Sequence, residues 1–283
     1  MKSNLNVIPG TKLNYEHYVP AKSSCLYPLL FIHGMFGGSW QFHLTMKYAV
    51  SQGFEVFALN LEGHAPGQTV GASSIEGYVQ DATQMLQYIA GPTIVIGHSM
   101  GGLIAQVLAE RLSGADALAS FDPLVKVAVL MSSPMAGHLL LKKEMFCYRY
   151  LKVITTGEPF WLKPEHLASL FLNKAPHKES YIGNFTKESG LALRQIALGQ
   201  TSVDESKVAC PVLVVAAGCD KVISLHVQRW LAGKYSSQLD ICEDGDHMTF
   251  MWSTAPIQMI IQWIDRHGWF HSKGEVFPCL LRS

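Results

Sequence analysis

The sequence of 283 residues has no excess of basic or acidic residues and no long apolar run. Each of these absences argues against a class of protein. Its 22 basic residues equal its 22 acidic ones, so nothing in its charge favours binding to nucleic acid or to an anionic membrane. It contains no run of about 18 apolar residues, the length that spans a membrane as a helix. Its first ten residues, MKSNLNVIPG, lack the apolar core of a secretory signal. We therefore expect a globular protein with neither a nucleic-acid partner nor an integral membrane segment.

Closely spaced cysteine pairs are also missing. The six cysteines are Cys25, Cys147, Cys210, Cys219, Cys242 and Cys279. None of them forms a C-x-x-C pair or has the spacing of a zinc site. This pattern favours reduced thiols, and we therefore expect a cytoplasmic location.

Short apolar runs alternate with helical patterns along most of the chain. The runs lack polar alternation, as is typical of strands that helices cover on both faces, and they occupy residues 28–34, 54–61, 93–97, 125–133 and 210–218. Apolar residues recur at helical spacing over 77–90, 99–112 and 255–267. Before them, residues 5–20 resemble a hairpin that turns at Pro9-Gly10. The sequence predicts an α/β protein with a mostly parallel sheet and helices on both faces.

One segment interrupts this alternation. Residues 137–205 contain helical patterns and many aromatic residues but no convincing strand. Because the segment lies between two predicted sheet strands, we expect a helical cap over the carboxyl ends of the strands. The core would then comprise residues 1–136 and 206–283. The alternative is an additional helical layer that packs a core of its own.

The stretch TIVIGHSMGGLIAQ, residues 93–106, places Ser99 between glycines where a strand pattern becomes a helix pattern. A G-x-S-x-G turn forces its serine into a sharp, strained bend, because side chains at the glycine positions would collide with the adjoining strand and helix. The bend exposes the serine oxygen above the sheet. We predict that Ser99 is a catalytic nucleophile.

Partners for such a serine follow later in the chain. Asp220 comes directly after the apolar run PVLVVAAG, and His247 lies before the last helical pattern. The order Ser, Asp, His is that of the α/β-hydrolase fold. His247 would accept the proton of Ser99, and Asp220 would orient the imidazole ring. A metal site of His247 with Asp244 and Asp246 is the alternative, but no second histidine lies at ligand spacing.

A second glycine-rich stretch, FIHGMFGGSW, follows the first long apolar run. Its backbone N–H groups can point toward Ser99, and no Gly-Lys-Ser/Thr follows that would indicate a phosphate loop. We expect the N–H of Met35, with Phe36 as the weaker candidate, and the N–H of Met100 to form an oxyanion hole. His64 and His98 are expected to make local contacts only.

Taken together, these motifs resemble the α/β-hydrolase superfamily, and in particular its small capped esterases and its lysophospholipase- or monoacylglycerol-lipase-like members. The resemblance extends over roughly residues 28–267 and rests on HGMFGG, ALNLEGHAPG, GHSMGG, VLVVAAGCDKVI and DGDHM. One departure lies around Asn60, where such proteins usually have an acidic residue and an arginine. A serine nucleophile also distinguishes the chain from epoxide hydrolases and dehalogenases of the same fold, which attack with an aspartate.

These features predict a serine hydrolase that needs no cofactor or metal and cleaves a partly hydrophobic carboxylic ester through an acyl-enzyme. Phe36, Phe160 and Trp161 are expected to line the substrate pocket. Alternatives on the same triad are a thioesterase, a C–C bond hydrolase and a biosynthetic cyclase. A ligand receptor with slow turnover is the alternative from another class, since fold alone does not establish activity.

Overall fold

The computed structural model of the chain describes residues 5–113, 125–134 and 148–268. These residues contain one eight-stranded sheet with the spatial order β1-β2-β4-β3-β5-β6-β7-β8. The strands are β1 (Leu5–Val7), β2 (Asn14–Tyr18), β3 (Leu29–Ile32), β4 (Val56–Asn60), β5 (Thr93–His98), β6 (Val125–Met131), β7 (Val212–Ala217) and β8 (Gln238–Cys242). The pairs β1–β2 and β2–β4 are antiparallel, and all the other neighbouring strands are parallel.

Ten α-helices accompany the sheet in the described parts of the chain. They are α1 (His43–Ser51), α2 (Ile75–Ile89), α3 (Met100–Leu112), α4 (Tyr148–Thr156), α5 (Pro164–Leu170), α6 (Glu179–Ile182), α7 (Gly190–Ala197), α8 (Leu225–Lys234), α9 (Thr249–Trp252) and α10 (Ala255–Arg266). None of these helices has the length and apolar character needed to cross a membrane.

Helices cover both faces of the sheet, as the unbroken apolar runs predicted. Along β3, Leu30 and Ile32 pack in one cluster with residues of α2, α3 and α8, whereas Leu29 and Phe31 pack in a second cluster with residues of α1 and α10. Successive residues of a strand point to opposite faces, so a strand buried on both sides has no polar position. The predicted α/β architecture is confirmed.

The five apolar runs are confirmed as strands β3 to β7, and the N-terminal hairpin is confirmed as β1 and β2. Strand β8 was not predicted. Its sequence, QLDIC, lies at the end of the sheet order and is only partly buried, so it lacks a continuous apolar run. Helices α1 and α8 were also not predicted.

Helices α4 to α7 lie between β6 and β7 in the chain, within the segment predicted to be a cap. The first part of that segment, residues 137–147, falls outside the described residues. One pairing in the segment was not expected: Phe160 and Glu188 form an isolated antiparallel bridge, with N–H···O distances of 2.8 and 2.9 Å. Buried apolar residues of the segment, such as Leu167 and Phe185, pack in the same cluster as Phe36 and Met248 of the flanking chain.

Candidate active site

Ser99 lies in the sharp turn between β5 and α3, at the carboxyl ends of the parallel strands. Its backbone has φ 52° and ψ −120°, in the region that residues with a Cβ rarely adopt. The N–H of Ser99 donates to the carbonyl of Met131 on β6 at 2.9 Å, which fixes the turn against the neighbouring strand. Ser99 is 9% exposed. A strained, non-glycine conformation that the surrounding structure holds in place is typical of functional sites.

The glycines around Ser99 have no room for a side chain. A Cβ on Gly97 would lie 2.1 Å from the carbonyl oxygen of Gly101, and a Cβ on Gly101 would lie 2.1 Å from the carbonyl oxygen of Ile32. A Cβ on Gly34, in the other glycine-rich loop, would lie 2.8 Å from the Cβ of Ser99. These glycines are therefore required by the close approach of strand, helix and loop, as the sequence argument expected.

His247 and Asp220 form a buried pair. His247 Nδ1 lies 2.9 Å from Asp220 Oδ2, and neither side chain has any exposed surface. The other carboxylate oxygen, Oδ1, accepts the N–H groups of Val222 and Ile223 at 2.7 and 2.9 Å. Burial by itself would raise the pKa of Asp220, but His247 and the two N–H donors outweigh burial and hold the pKa below its usual value. Asp220 is therefore an ionised acceptor for the Nδ1–H of His247.

The second ring nitrogen of His247, Nε2, is buried and has no hydrogen-bond partner among the described residues, Ser99 included. Two aromatic rings contact the imidazole: His98 at a centroid distance of 4.7 Å, and Phe171 from the predicted cap at 5.1 Å and nearly perpendicular. The Nε2–H of His98 donates to the carbonyl oxygen of His247 at 2.8 Å. This bond joins residues 149 positions apart in the chain and fixes the backbone of His247.

The loop that begins at His33 forms a tight turn beside Ser99. The N–H of Gly37 donates to the carbonyl of Gly34 at 3.3 Å, and Phe36, the third residue of this turn, has φ 64°. Among the hydrogen bonds between described residues, none engages the backbone N–H of Met35 or that of Met100. Met100 is the first residue of α3, where backbone N–H groups have no partner within the helix.

A buried carboxylate that the sequence did not reveal contacts this turn. Glu188, in the predicted cap, has no exposed surface, and its Oε2 accepts the N–H of Phe36 at 3.1 Å. Three further donors surround the carboxylate. They are His64 Nε2 at 3.1 Å on Oε2, and Tyr78 Oη at 2.9 Å and Ser189 N–H at 2.7 Å on Oε1. The predicted donor Phe36 therefore has its N–H engaged by a carboxylate, which leaves Met35 as the free N–H of the pair.

The protonation of the two histidines near this carboxylate follows from their partners. His64 Nδ1 faces the carbonyl of Glu62 at 3.1 Å and Nε2 faces Glu188, so both ring nitrogens donate and His64 is an imidazolium. Burial opposes this charge, but Glu188 outweighs it and raises the pKa of His64. His33 is neutral, because its Nε2 accepts the N–H of Leu61 at 3.1 Å. Burial, together with the charge of His64, lowers the pKa of His33 to about 3.

Aromatic side chains cover the site. Phe36 packs edge-on against Phe160 at 5.1 Å and against Phe171 at 6.1 Å. All three rings are buried, whereas Trp161 is partly exposed. Phe160 thus lies against the turn that contains Met35. Phe171, which was not predicted as a site residue, contacts His247 directly.

Asp246 joins the histidine loop to the predicted cap. Its Oδ2 accepts the backbone N–H groups of Lys174 and Ala175 at 2.8 and 3.0 Å, and its Oδ1 accepts Met248 N–H and Trp252 Nε1, both at 3.1 Å. Both oxygens of this carboxylate are occupied by N–H donors. No group of three or more His, Cys, Asp or Glu residues in the described ranges is arranged to hold a metal ion.

A cavity of about 420 Å³ lies elsewhere in the molecule. Its walls include Cys210 and Gln238, at the amino ends of β7 and β8, and Trp263 of α10. Ser99 and His247 lie at the carboxyl ends of the strands, which is where open α/β sheets place their ligands. The cavity is therefore not part of the site built around Ser99.

A mostly parallel sheet with a serine in a strand-to-helix turn and a buried His–Asp pair at the strand ends defines the class of α/β-hydrolase-fold proteins. The alpha/beta hydrolase family model matches residues 29–261, and the chain belongs to that family.

Individual relatives agree with this family. The sn-1-specific diacylglycerol lipase ABHD11 of Danio rerio is 33% identical over 84 residues, which span 29% of this chain and 26% of that protein. The chain thus matches about a quarter of the length of that curated relative. A monoacylglycerol lipase of Paleococcus ferrophilus has a similar structure, with a TM-score of 0.69, 18% identity and coverage of 91% of this chain and 100% of the other. A thermophilic esterase of Thermogutta terrifontis gives a TM-score of 0.68 at 16% identity, with 94% and 98% covered.

Proposed function

We propose that this protein is a serine hydrolase that cleaves a partly hydrophobic carboxylic ester, with Ser99 as nucleophile, His247 as general base and Asp220 as the residue that orients His247. The observation that carries the proposal is the combination of a strained serine, at φ 52°, with a buried His247–Asp220 pair whose Nε2 has no partner. A polar atom that is buried without a partner costs free energy, which is tolerated where the atom serves in chemistry.

The proposed reaction proceeds in two steps. Ser99 Oγ attacks the ester carbonyl carbon while His247 Nε2 takes the hydroxyl proton, and the alcohol leaves with that proton. Water then attacks the acyl-enzyme, His247 again takes a proton, and the acid and free Ser99 are released. Ionised Asp220 stabilises the imidazolium that forms in each step. The hydrogen bond from Ser99 to Nε2 would form in the substrate complex, since catalytic hydrogen bonds are often absent without substrate.

The developing oxyanion would lie between two backbone donors. The N–H groups of Met35 and Met100 are the candidates, because each lies next to Ser99 in the chain or in the adjoining loop and neither is engaged by another described residue. Donors already in place cost no reorganisation when the charge develops.

The surroundings of the site support a partly hydrophobic substrate. Phe36, Phe160 and Phe171 form an aromatic cover over the turn and over His247, so an apolar acyl group is favoured. The diacylglycerol lipase and the monoacylglycerol lipase among the similar proteins bear names that fit an ester of this kind. We expect a small-molecule ester whose acyl chain contacts the cap.

Turnover of a panel of p-nitrophenyl esters and matched thioesters tests this proposal. Ser99→Ala should lose about 10⁴- to 10⁶-fold in kcat, as happens when a triad nucleophile is removed. Ser132→Ala is the control. Like Ser99, Ser132 directly follows a strand of the sheet, has a positive φ (44°) and is buried. It should retain turnover.

The outcomes of this experiment separate the alternatives. Faster release of thiol than of alcohol would identify a thioesterase. A single modification of wild-type protein without further turnover would identify a receptor. Equal activity of wild type and Ser99→Ala would contradict the proposal.

A further inference from the structure

Residues of the predicted cap contact both peptide groups of Phe36. The N–H of Phe36 donates to Glu188 Oε2 at 3.1 Å, and its carbonyl accepts the N–H of Thr186 at 2.9 Å. The bridge between Glu188 and Phe160 fixes the backbone from which the carboxylate extends. The turn that contains Met35, and that approaches Ser99 at Gly34, is thus held by a segment about 150 residues further along the chain.

The turn requires such support. A positive φ at the third residue of a β-turn is the feature of a type II turn, and glycine or asparagine normally occupies that position. Phe36 adopts φ 64° there, a strained conformation for a residue other than glycine. The lower-energy alternative rotates the peptide between Met35 and Phe36 by half a turn. That rotation would aim the carbonyl of Met35 where the N–H of Phe36 now points.

The charge of Glu188 opposes that rotation. All four groups in contact with the carboxylate are donors, so both of its oxygens act only as acceptors. The imidazolium of His64 and the N–H donors outweigh burial and lower the pKa of Glu188. A carboxylate attracts an N–H and repels a carbonyl oxygen. Only the observed orientation of the peptide is therefore compatible with ionised Glu188.

We propose that Glu188 is a positioning residue for the oxyanion hole: by accepting the N–H of Phe36 it fixes the conformation of the 34–37 turn, and thereby the position of the N–H of Met35, which is the next residue after Gly34 where the turn approaches Ser99. This inference rests on the proposed function, because it gives a purpose to the free N–H of Met35. Glu188 does not touch the reacting atoms. It acts through the turn. The geometry of the oxyanion hole therefore depends on the position of residues 186–188 of the predicted cap.

Glu188→Gln is the variant that tests this role. The amide keeps the size of the carboxylate, but its NH₂ can donate to a rotated carbonyl of Met35, so the turn is no longer restricted to one orientation. Rotation of the Met35–Phe36 peptide leaves the Gly34–Met35 peptide in the turn but changes the backbone angles on both sides of it, so the N–H of Met35 is displaced rather than removed. We expect kcat on a p-nitrophenyl ester to fall about 10- to 100-fold with KM within about threefold, less than the about 10²- to 10³-fold that loss of a whole oxyanion donor costs. Hydrogen exchange at the Phe36 amide should become faster.

Glu16→Gln is the matched control. Glu16 is also buried, at 3% exposure, and also contacts a histidine, His43, at 2.9 Å, but it does not touch residues 34–37. A comparable loss of thermal stability with unchanged kcat is expected for this variant. If Glu188→Gln does not fold, Glu188→Asp replaces it, because the shorter side chain keeps the charge opposite His64 and withdraws from Phe36. The same fall in kcat at constant KM is expected.

Three results would overturn the inference. Wild-type kcat in a folded Glu188 variant would show that the carboxylate only stabilises the fold, while the ester hydrolase itself would stand. A rise in KM alone would assign Glu188 to substrate binding. Absence of ester turnover in wild-type protein would remove the proposed function and this inference together.

Discussion

Asp220 shows how a single atom decides the chemistry of the site. Its Oδ1 accepts two backbone N–H groups and its Oδ2 faces His247 Nδ1. In Asp220→Asn, the amide oxygen would keep the two backbone donors and the NH₂ would face Nδ1. The imidazole would then carry its proton on Nε2, where a base must be free. We expect kcat to fall by about 10³- to 10⁴-fold with little change in the melting temperature.

Asp244→Asn is the control for that measurement. Asp244 is exposed and lies three residues before His247, so it provides the same change of charge in the same loop. It should retain the wild-type kcat. Equal activity of Asp220→Asn and Asp244→Asn in an ester assay would contradict the orienting role of Asp220.

At the residue scale, the sequence predicted the candidate triad residues, which lie in recognisable motifs. It did not predict Glu188, which lies in no motif. Ser99 and Asp220 could be proposed because each follows a predicted strand, and His247 because it precedes the last predicted helix; the three occur in the order of a known fold. Glu188 is a single glutamate in a segment without a motif, and its partners Phe36, His64 and Tyr78 are 152, 124 and 110 residues away. Only the folded chain brings these residues together.

At the scale of elements, the helical segment between β6 and β7 is expected to select the acyl group. Phe160 packs on Phe36, and Trp161 follows it in the chain. Each buried methylene contributes about 0.8 kcal/mol, about fourfold in binding, so activity should rise with acyl length until the pocket is full. Phe160→Ala and Trp161→Ala should shift or flatten this optimum. Activity profiles over C2 to C12 esters check it.

Trp230→Ala, on α8, is the control for the chain-length profiles. It also removes a large aromatic side chain, which is 38% exposed and packs beside Lys234 rather than in the predicted cap. Its profile should match that of the wild type. Identical profiles for all four proteins would show that Phe160 and Trp161 stabilise the segment without lining a pocket.

The elements were predictable to different degrees for a physical reason. Strands β3 to β7 are buried on both faces and therefore appear in the sequence as continuous apolar runs. Strand β8, at the edge, and the Phe160–Glu188 bridge depend on backbone pairing with distant residues. The side chains of these segments form no apolar pattern that would indicate this pairing. Elements with a regular apolar pattern could be predicted, and those that depend on tertiary contacts could not.

For the whole molecule, buried histidines should make the fold sensitive to acid. Burial lowers the pKa of His33 to about 3 and that of His98 well below 6.5, whereas burial raises the pKa of Asp81 to about 6. Between pH 6 and 5, unfolding therefore takes up about two protons on the histidines and releases about one from Asp81. The unfolding free energy should fall by about 1.4 kcal/mol per unit as the pH decreases.

Urea unfolding at several pH values measures this slope, and Asp81→Asn provides the comparison. Asp81 accepts the N–H of Glu62 at 2.9 Å, a bond that an asparagine oxygen can keep. In this variant no proton is released from position 81 on unfolding, so the unfolding free energy should fall by about 2.7 kcal/mol per unit decrease in pH. A stability that stays constant or rises from pH 6 to pH 5 would contradict the neutral state of His33 and His98.

The most direct test of the central claim, that Ser99 is the nucleophile, is to locate a covalent adduct. Wild-type protein is treated with a fluorophosphonate, digested and analysed by tandem mass spectrometry. The account predicts one phosphonylated residue, Ser99, together with labelling that is lost in Ser99→Ala and slowed in His247→Ala. An adduct on Ser132 or on any other residue, or full labelling of Ser99→Ala, would contradict it.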